Sequence, residues 1–586
     1  MPTSHEEQLQ LRIRELEKEV AHLHDQIKQQ RYGLNWIDVP EAFDKESENK
    51  IPTLEEVPEL SFKTDDGKPT HILIEGDNYH ALTCLNYTHR GKVDVIYIDP
   101  PYNTGSDGFI YKDKRMLDRY PDGTPVPADS PLRHSYWLSF MKCRLSLAKE
   151  LLKDNGILFI SIDMNELAQL KQLCDSEQLF GQNAFIECFV WNKTSTPPAL
   201  SYKSRKTHEY ILCYQKRPDS SRFVGMRNQG GDAPLLNESN AEGVLSFPAK
   251  TVFTSLNDGV YEAGQRERVE LLNDVIVKEG IIENAFSLRG KFRWSQATLD
   301  REIVDDCYLI VKSNKFAIRY CRQGERTVAP SNYIPTKIYE RDTSINKEEQ
   351  GVDTNDTAGK ELSKIIGRGK FDFPKPTSLV AYLLSFIDRK NTIILDFFAG
   401  SGTTMHATMN LNEEDGGQRQ CILVQLNEAD ICRNVTYERN RRVMQGYTDA
   451  RGNKVAGLGN SLKYYRTAFV GENDAKHANE QDRLLLSQKA GCLLALAENT
   501  LDETLRTSHY QLFTDGKRLT AVYFQEDLQR FEEFVEQVRS KALPTSVYVF
   551  CWGSAEEFLY NFEDIPNVSL KSIPEPILKI YQTLNA

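Results

Sequence analysis

Asp99-Pro100-Pro101-Tyr102 places a carboxylate, two residues without an amide hydrogen and a flat ring in four consecutive positions. Consecutive prolines fix φ and donate nothing, so their carbonyls are left to accept from a ligand, while Asp99 adds another acceptor and Tyr102 a stacking surface. Such a set suits a planar amine. The bare tetrapeptide also describes an ordinary strand-to-turn junction, so a second signal is needed to decide.

That signal is Asp396-Phe397-Phe398-Ala399-Gly400-Ser401-Gly402-Thr403-Thr404. Its glycines permit close backbone approach, and the N–H groups opening a following helix favour a carboxylate by about 0.3 to 2 kcal/mol each. It is not a triphosphate loop, since GxxxxGK[ST] occurs nowhere in the chain.

Regular elements must hold both motifs. Val93 to Ile98 is a β-branched apolar run that reads as a buried strand ending at Asp99, and Thr392 to Asp396 reads as a second strand ending at the glycine loop. MHATMNLN continues the second as a helix. His71 to Asn78 reads as a strand and turn, and Gly156 to Asp163, Thr207 to Tyr214 and Cys421 to Val424 as further strands.

Of 586 residues, 40% are hydrophobic and 27% charged, with a net charge of −12. The longest apolar run, Leu379 to Ile387, is far short of the roughly 20 residues of a membrane span. No secretory signal is expected at MPTSHEEQLQ, and eleven scattered cysteines without CxxC predict reduced thiols in a cytoplasm. The acidity sits at the ends: residues 1 to 60 carry 7 basic and 14 acidic side chains, residues 471 to 586 carry 11 and 18, and the rest carries 54 and 52. A global excess of acid therefore does not argue against a polyanionic partner for the middle of the chain.

Leu9, Ile13, Leu16, Val20, Leu23 and Ile27 keep heptad spacing, which predicts a helix with one apolar seam. It would form a short coiled coil between subunits or dock on its own domain. Amphipathic stretches between 481 and 540 predict a helical C-terminal module for partner contact, or an intramolecular cap.

Taken together, the two motifs resemble those of amino-methyltransferases that use S-adenosylmethionine, in which FxGxG holds the methionine part and DPPY the nitrogen to be methylated. DPPY lies about 300 residues before FxGxG, the permuted order of the beta group of DNA adenine-N6 and cytosine-N4 methyltransferases, and Asp in first place favours adenine. The resemblance implies an α/β fold built on a Rossmann-like sheet for these elements, and catalytic roles for Asp99, Pro100, Pro101 and Tyr102. It implies S-adenosylmethionine contacts at Asp77, Phe373, Lys375, Asp396, Phe398, Gly400, Gly402, Thr403 and Gln425, and a target-base pocket at His208 and Tyr210. Gln425 departs from the pattern, since many relatives have an acidic residue there for the ribose hydroxyls; Glu428 follows three residues on. No metal is implied.

Arg31 to Trp36, Gly290 to Ser295 and Gly457 to Tyr465 look more specifically like the modification (Mod) subunit of Type III restriction-modification systems. Such subunits methylate adenine N6 in double-stranded DNA at a short asymmetric site, form dimers, and join a separate Res subunit carrying helicase and nuclease. The implied domains are an N-terminal helix and linker at 1–60, methyltransferase parts at 61–220 and 365–470, a target-recognition domain at 221–364, and a partner or dimer-contact domain at 471–586. Residues 286 to 341 hold 11 basic and 6 acidic groups. Lys291, Arg293, Arg319 and Arg322 there, interleaved with Phe292, Trp294, Tyr308 and Tyr320, are candidates for phosphate and base contacts, or form a solvated basic face. Alternatives are a DNA-reading scaffold with weak methylation, a solitary adenine methyltransferase without a Res partner, and a protein-glutamine methyltransferase, whose related PPY loop lacks the Asp and the basic insert.

Overall fold

The computed structural model describes residue 36 and residues 51–104, 115–119, 123–127, 130–194, 203–225, 227–229, 233–305, 307–321, 325–327, 329–336, 351–449, 451–470, 480–524, 528–550 and 555–574. The heptad stretch and Arg322 lie outside them. The chain forms two compact units, residues 222–330 and the remainder.

The larger unit is built on a ten-stranded sheet. In chain order its strands are β1 (Ile51–Glu56), β2 (Thr70–Glu75), β3 (Val93–Ile98), β4 (Leu152–Ile162), β5 (Phe185–Asn192), β6 (His208–Gln215), β7 (Tyr333–Ile334), β8 (Ile393–Asp396), β9 (Gln420–Gln425) and β10 (Ser461–Val470). Their order across the sheet is β1-β10-β2-β9-β8-β3-β4-β6-β5-β7. The six from β10 to β4 are parallel, whereas β1 and β6 run against their neighbours. Strands of a parallel sheet are covered on both faces and need continuous apolar sequence. All six residues of β3 are accordingly buried, with Ile96 and Ile98 fully so.

The two motifs are joined by this topology. β3 and β8 are hydrogen-bonded neighbours, with Ile394 opposite Val95 and Leu395 opposite Ile96. From β3 the chain passes outward to β4, and from β8 it passes the other way to β9, so the winding reverses between them. Ligands of open α/β sheets bind at the carboxyl ends of the strands flanking such a reversal.

Helices α1 (Asn78–Thr88), α2 (Ser135–Leu151), α3 (Asn355–Ile366), α4 (Thr377–Ser385), α5 (Thr403–Asp415) and α6 (Glu438–Gln445) accompany this sheet. No helix among the described residues is long and apolar enough to cross a membrane.

Residues 222–330 form their own β-rich unit with a core of Leu245, Phe247, Val252, Phe286, Leu288, Leu309, Val311 and Ile318. A seven-stranded and a four-stranded sheet supply it, and the helix Gln296–Val304 is the one helix described there. The insert is therefore shorter than the expected 221–364. Residues 331–364 belong to the larger unit because β7 pairs with β5 and α3 packs on α6.

The C-terminal segment contains the expected helices, at Glu480–Glu498 and Phe531–Lys541, and a five-stranded sheet that helical periodicity did not reveal. Its strands Tyr510–Thr514, Leu519–Tyr523 and Thr545–Val549 are almost wholly buried, a pattern that carries no period. The first helix packs on β1 and α1, which makes this segment part of the larger unit.

Candidate active site

A cavity of about 350 Å³ opens at the carboxyl ends of β3 and β8. Asp99, Pro100, Pro101 and Tyr102 line one end, and Asp396, Phe397, Phe398, Ala399, Gly400 and Thr403 the other. The DPPY loop is fixed from behind, where the Trp137 indole donates to the Pro101 carbonyl at 2.7 Å. Beyond it, Asn103 takes a left-handed backbone (φ 55°) and its side chain donates to the buried Glu166 at 2.6 Å.

The glycine loop is held by neighbours on three sides. Gly402 has φ 75° and caps α5; a Cβ there would meet the Asn440 side chain and lie 3.1 Å from the Thr436 carbonyl, so only glycine fits. Gly402 thus lies beneath the loop and does not line the cavity. Beside it Arg439, with no exposed side-chain surface, donates to the Thr403 hydroxyl at 2.8 Å, the Ser401 hydroxyl at 3.1 Å and the Thr377 hydroxyl at 3.1 Å. Asp396 accepts from Phe398 N–H at 2.9 Å and from the Thr404 hydroxyl at 2.5 Å. Burial pushes its carboxyl up to about 7, partly offset by these two donors.

The other residues implied for the cofactor fall on the same wall. Asp77 lines the cavity, caps α1 through Tyr79 N–H at 2.8 Å and pairs with the buried Arg144 at 3.3 Å. Phe373 lines it with its ring two-thirds exposed. Gln425 also lines it, but its amide oxygen accepts from Gly400 N–H at 2.7 Å, so its role in the structure is to brace the glycine loop. Glu428 lines the cavity nearby.

Lys375 lines the same cavity, and its ammonium is turned to the DPPY loop. Its ammonium donates to both oxygens of Asp99, at 2.8 and 2.7 Å, and lies 3.5 Å from Glu209. Burial would pull this lysine down, but the charges of Asp99 and Glu209 hold it well above the usual lysine range. Burial pushes Asp99 up, with Lys375 opposing the rise and Glu209 adding to it. Tyr102 donates its hydroxyl to Asp99 at 2.7 Å, with a Glu209 oxygen 3.3 Å away.

Neither His208 nor Tyr210 lines the cavity; Glu209 between them does. β6 runs antiparallel to β4, so its first residues lie where β4 ends, and alternation along the strand sends Glu209 inward and leaves His208 exposed. The same geometry brings Asp163, just after β4, and Lys193, just after β5, to this wall. Lys193 donates to Glu209 at 3.0 Å. Burial would raise Glu209, yet Lys375 and Lys193 keep it below the usual carboxylate range. HEYILCYQ carries no polar–apolar alternation that would single out Glu209, and nothing in the sequence pointed to Arg439.

In the separate unit 222–330, Lys291 and Arg293 are exposed and Arg319 is partly exposed on the strand Ile318–Cys321. The basic residues of this unit are extensively paired: Arg289 with Glu270 at 2.6 Å and Arg268 with Glu238 at 2.7 Å, with Lys291 4.0 Å from Glu238. Counted over 222–330 the unit holds 15 basic and 15 acidic side chains, so the surplus within its own 286–330 stretch, 9 basic against 5 acidic, is cancelled by the rest of the unit.

A family model described as DNA methylase matches residues 93–432. The StyLTI Mod subunit of a Type III restriction-modification enzyme from Salmonella typhimurium is 31% identical over 414 residues, covering 68% of this chain and 59% of its own. The EcoPI Mod subunit from Escherichia phage P1 is 30% identical over 448 residues, covering 69% and 65%. The chain thus spans about three fifths of the length of these relatives. The Type II methyltransferase M.KpnI of Klebsiella pneumoniae is 28% identical over 407 residues, covering 67% of this chain and 90% of its own.

Proposed function

The chain belongs to the DNA methylase family, and from that premise we propose that it transfers a methyl group from S-adenosylmethionine to adenine N6 at a specific site in double-stranded DNA, as the modification subunit of a Type III restriction-modification system. The observation that carries the reading is the single cavity into which β3 delivers Asp99 and Tyr102 and β8 delivers Asp396 and the glycine loop. Similarity to the two Mod subunits supports the modification role.

The residues present fit the cofactor. Phe371, Phe373 and Phe398 with the carboxylates Asp77 and Asp396 suit a ligand that carries a flat ring and a positive centre. The start of α5 suits its carboxylate. When bound, S-adenosylmethionine supplies an electrophilic methyl group on a positively charged sulfur. The chain must supply the nucleophile's position. Extruding an adenine from the duplex costs a few kcal/mol, and stacking on Tyr102 returns roughly 1 to 3 kcal/mol. Asp99 then accepts from the amine N–H, which orients the nitrogen lone pair and stabilises the charge that develops on it.

Residues 222–330 are the part proposed to read the DNA sequence, with Lys291, Arg293 and Arg319 at its surface. A Res subunit and a second copy of the chain are the proposed protein partners, and the acidic ends are the segments outside the chemistry on which they could act. A second reading, methylation without a Res partner, is favoured by the similarity to M.KpnI. Single-molecule sequencing of DNA from cells expressing this chain alone tests the activity: N6-methyladenine at one short asymmetric site is expected, and its absence at every motif overturns the reading. Restriction of unmodified DNA on co-expression with a candidate Res chain separates the two versions.

A further inference from the structure

The cavity's target end holds more charge than one acceptor carboxylate requires. Lys375 is 7% exposed and Glu209 6% on the side chain, and burying such charges is costly unless each is paired. They are paired in a continuous set: Asp99 with Lys375, Lys375 with Glu209, Glu209 with Lys193, and the Tyr102 hydroxyl between the two carboxylates. Lys375 is also tied to the glycine loop, since its carbonyl accepts from the Thr403 hydroxyl at 3.2 Å. One residue therefore touches the machinery at both ends of the cavity.

We propose that Lys375 and Glu209 are positioning residues for methyl transfer, Lys375 clamping both oxygens of Asp99 so that the carboxylate keeps one orientation toward the target amine, and Glu209 holding Lys375 and the Tyr102 hydroxyl in place. This rests on the methyltransferase reading. A lone carboxylate at the end of β3 would be free to rotate about its χ angles, and each rotation would misplace the amine that it orients. The ammonium removes that freedom without using a backbone donor, which the two prolines cannot offer. Glu209 supplies the charge that keeps the ammonium in the pocket when an amine competes for Asp99.

The arrangement also sets the sign of two electrostatic effects on Asp99. The groups facing it are Lys375 from the segment before α4, Glu209 from β6, the hydroxyls of Tyr102 and Tyr97, and Asp396 across the cavity; Asp163 and Lys193 face Glu209. Removing Lys375 raises the pH at which Asp99 ionises, and removing Glu209 lowers it.

The test is the pH dependence of kcat/KM for methyl transfer from labelled S-adenosylmethionine to DNA. Glu209→Gln should move the acid limb to lower pH, and Lys375→Gln should move it to higher pH by roughly 1 to 3 units. Lys375→Arg should leave the limb in place. A merely structural role lowers the plateau without displacing the limb in opposite directions, so unmoved limbs or equal displacements overturn the proposal. Should Lys375→Gln not fold, Glu209→Gln and Lys375→Arg decide it. A turnover-free readout is the change in Tm across pH with and without Asp99→Asn, in the wild-type and Glu209→Gln backgrounds. If the wild type methylates no DNA, the functional reading fails while this second measurement still decides the charge arrangement.

Discussion

Arg439 donates to the hydroxyl of Thr403 at 2.8 Å from a position with no exposed side-chain surface, 36 residues along the chain. The same guanidinium reaches Ser401, Thr377 and Glu361, so one cation fastens the glycine loop to α3 and α4. The loop's shape is thereby fixed before any ligand arrives.

Arg439→Met should loosen that loop. Charged hydrogen bonds are each worth about 1.5 to 3 kcal/mol, and the substitution removes those that Arg439 donates to Ser401, Thr403 and Thr377. We expect a lower Tm by thermal denaturation and at least tenfold weaker S-adenosylmethionine binding by calorimetry, with Arg439→Lys intermediate. Unchanged cofactor affinity would show that the loop keeps its form without the cation.

Gly402→Ala should fail for a different reason. An alanine in the left-handed region costs about 1 to 2 kcal/mol, and its Cβ would overlap the buried Asn440 side chain and crowd the Thr436 carbonyl at 3.1 Å. Reduced stability together with weakened cofactor binding is the expected outcome, read by the same two measurements. Gly416→Ala is the control: it shares the backbone strain, with φ 68°, but a Cβ there meets nothing within 4 Å.

Asp99→Ala should spare the fold and remove the reaction. Lys375 keeps Glu209 as counter-ion, so no buried charge is left alone. Loss of one group that stabilises developing charge lowers turnover on the order of 10²- to 10³-fold. Tyr102→Phe keeps the stacking ring and should cost far less than Tyr102→Ala, which single-turnover methylation assays will separate.

Asp396 gives the stability curve a definite slope. Its folded-state value of about 7 lies above the 3.8 of an unperturbed aspartate, so the folded chain holds the proton more tightly than the unfolded chain. That contribution is fully present below about pH 4 and is lost as pH rises through 7. Asp396→Asn should therefore stabilise the protein relative to wild type increasingly between pH 4 and 7, reaching roughly 2 to 4 kcal/mol. Denaturant titrations at several pH values check this, and a difference that shrinks over the interval contradicts it.

DNA affinity should depend on salt through particular residues rather than through the net charge of the 222–330 unit, which is zero. Arg293→Ala should reduce the slope of log K against log salt by about 1, while Arg289→Ala, whose side chain pairs with Glu270, should leave it unchanged. Anisotropy titrations over a range of salt concentrations distinguish the two.

That the two motifs lie at strand ends was more legible than what braces them. Asp99, Tyr102, Asp396 and Gly400 could be read because each must sit at the end of a strand, and apolar runs mark strand ends sharply. The pairings around them were hidden for physical reasons. Lys375 sits 276 residues from Asp99 in a short irregular segment, where no period specifies direction. Glu209 is visible only as one member of a strand whose apolar run does not alternate, so nothing in it tells which of His208, Glu209 and Tyr210 faces the cavity. Gln425 kept its place on the cavity wall, but its amide faces the loop, an orientation that residue type alone does not give. The C-terminal sheet was missed because strands buried on both faces show no alternation.

The unit 222–330 leaves the chain after β6 and the chain returns to pair β7 with β5, so the main sheet is closed across the insertion whatever is inserted. If this unit reads the DNA as proposed, a module attached in this way is exchangeable: recombination at its two borders would give the chain a new address on DNA in one event, with the cavity at β3 and β8 inherited intact.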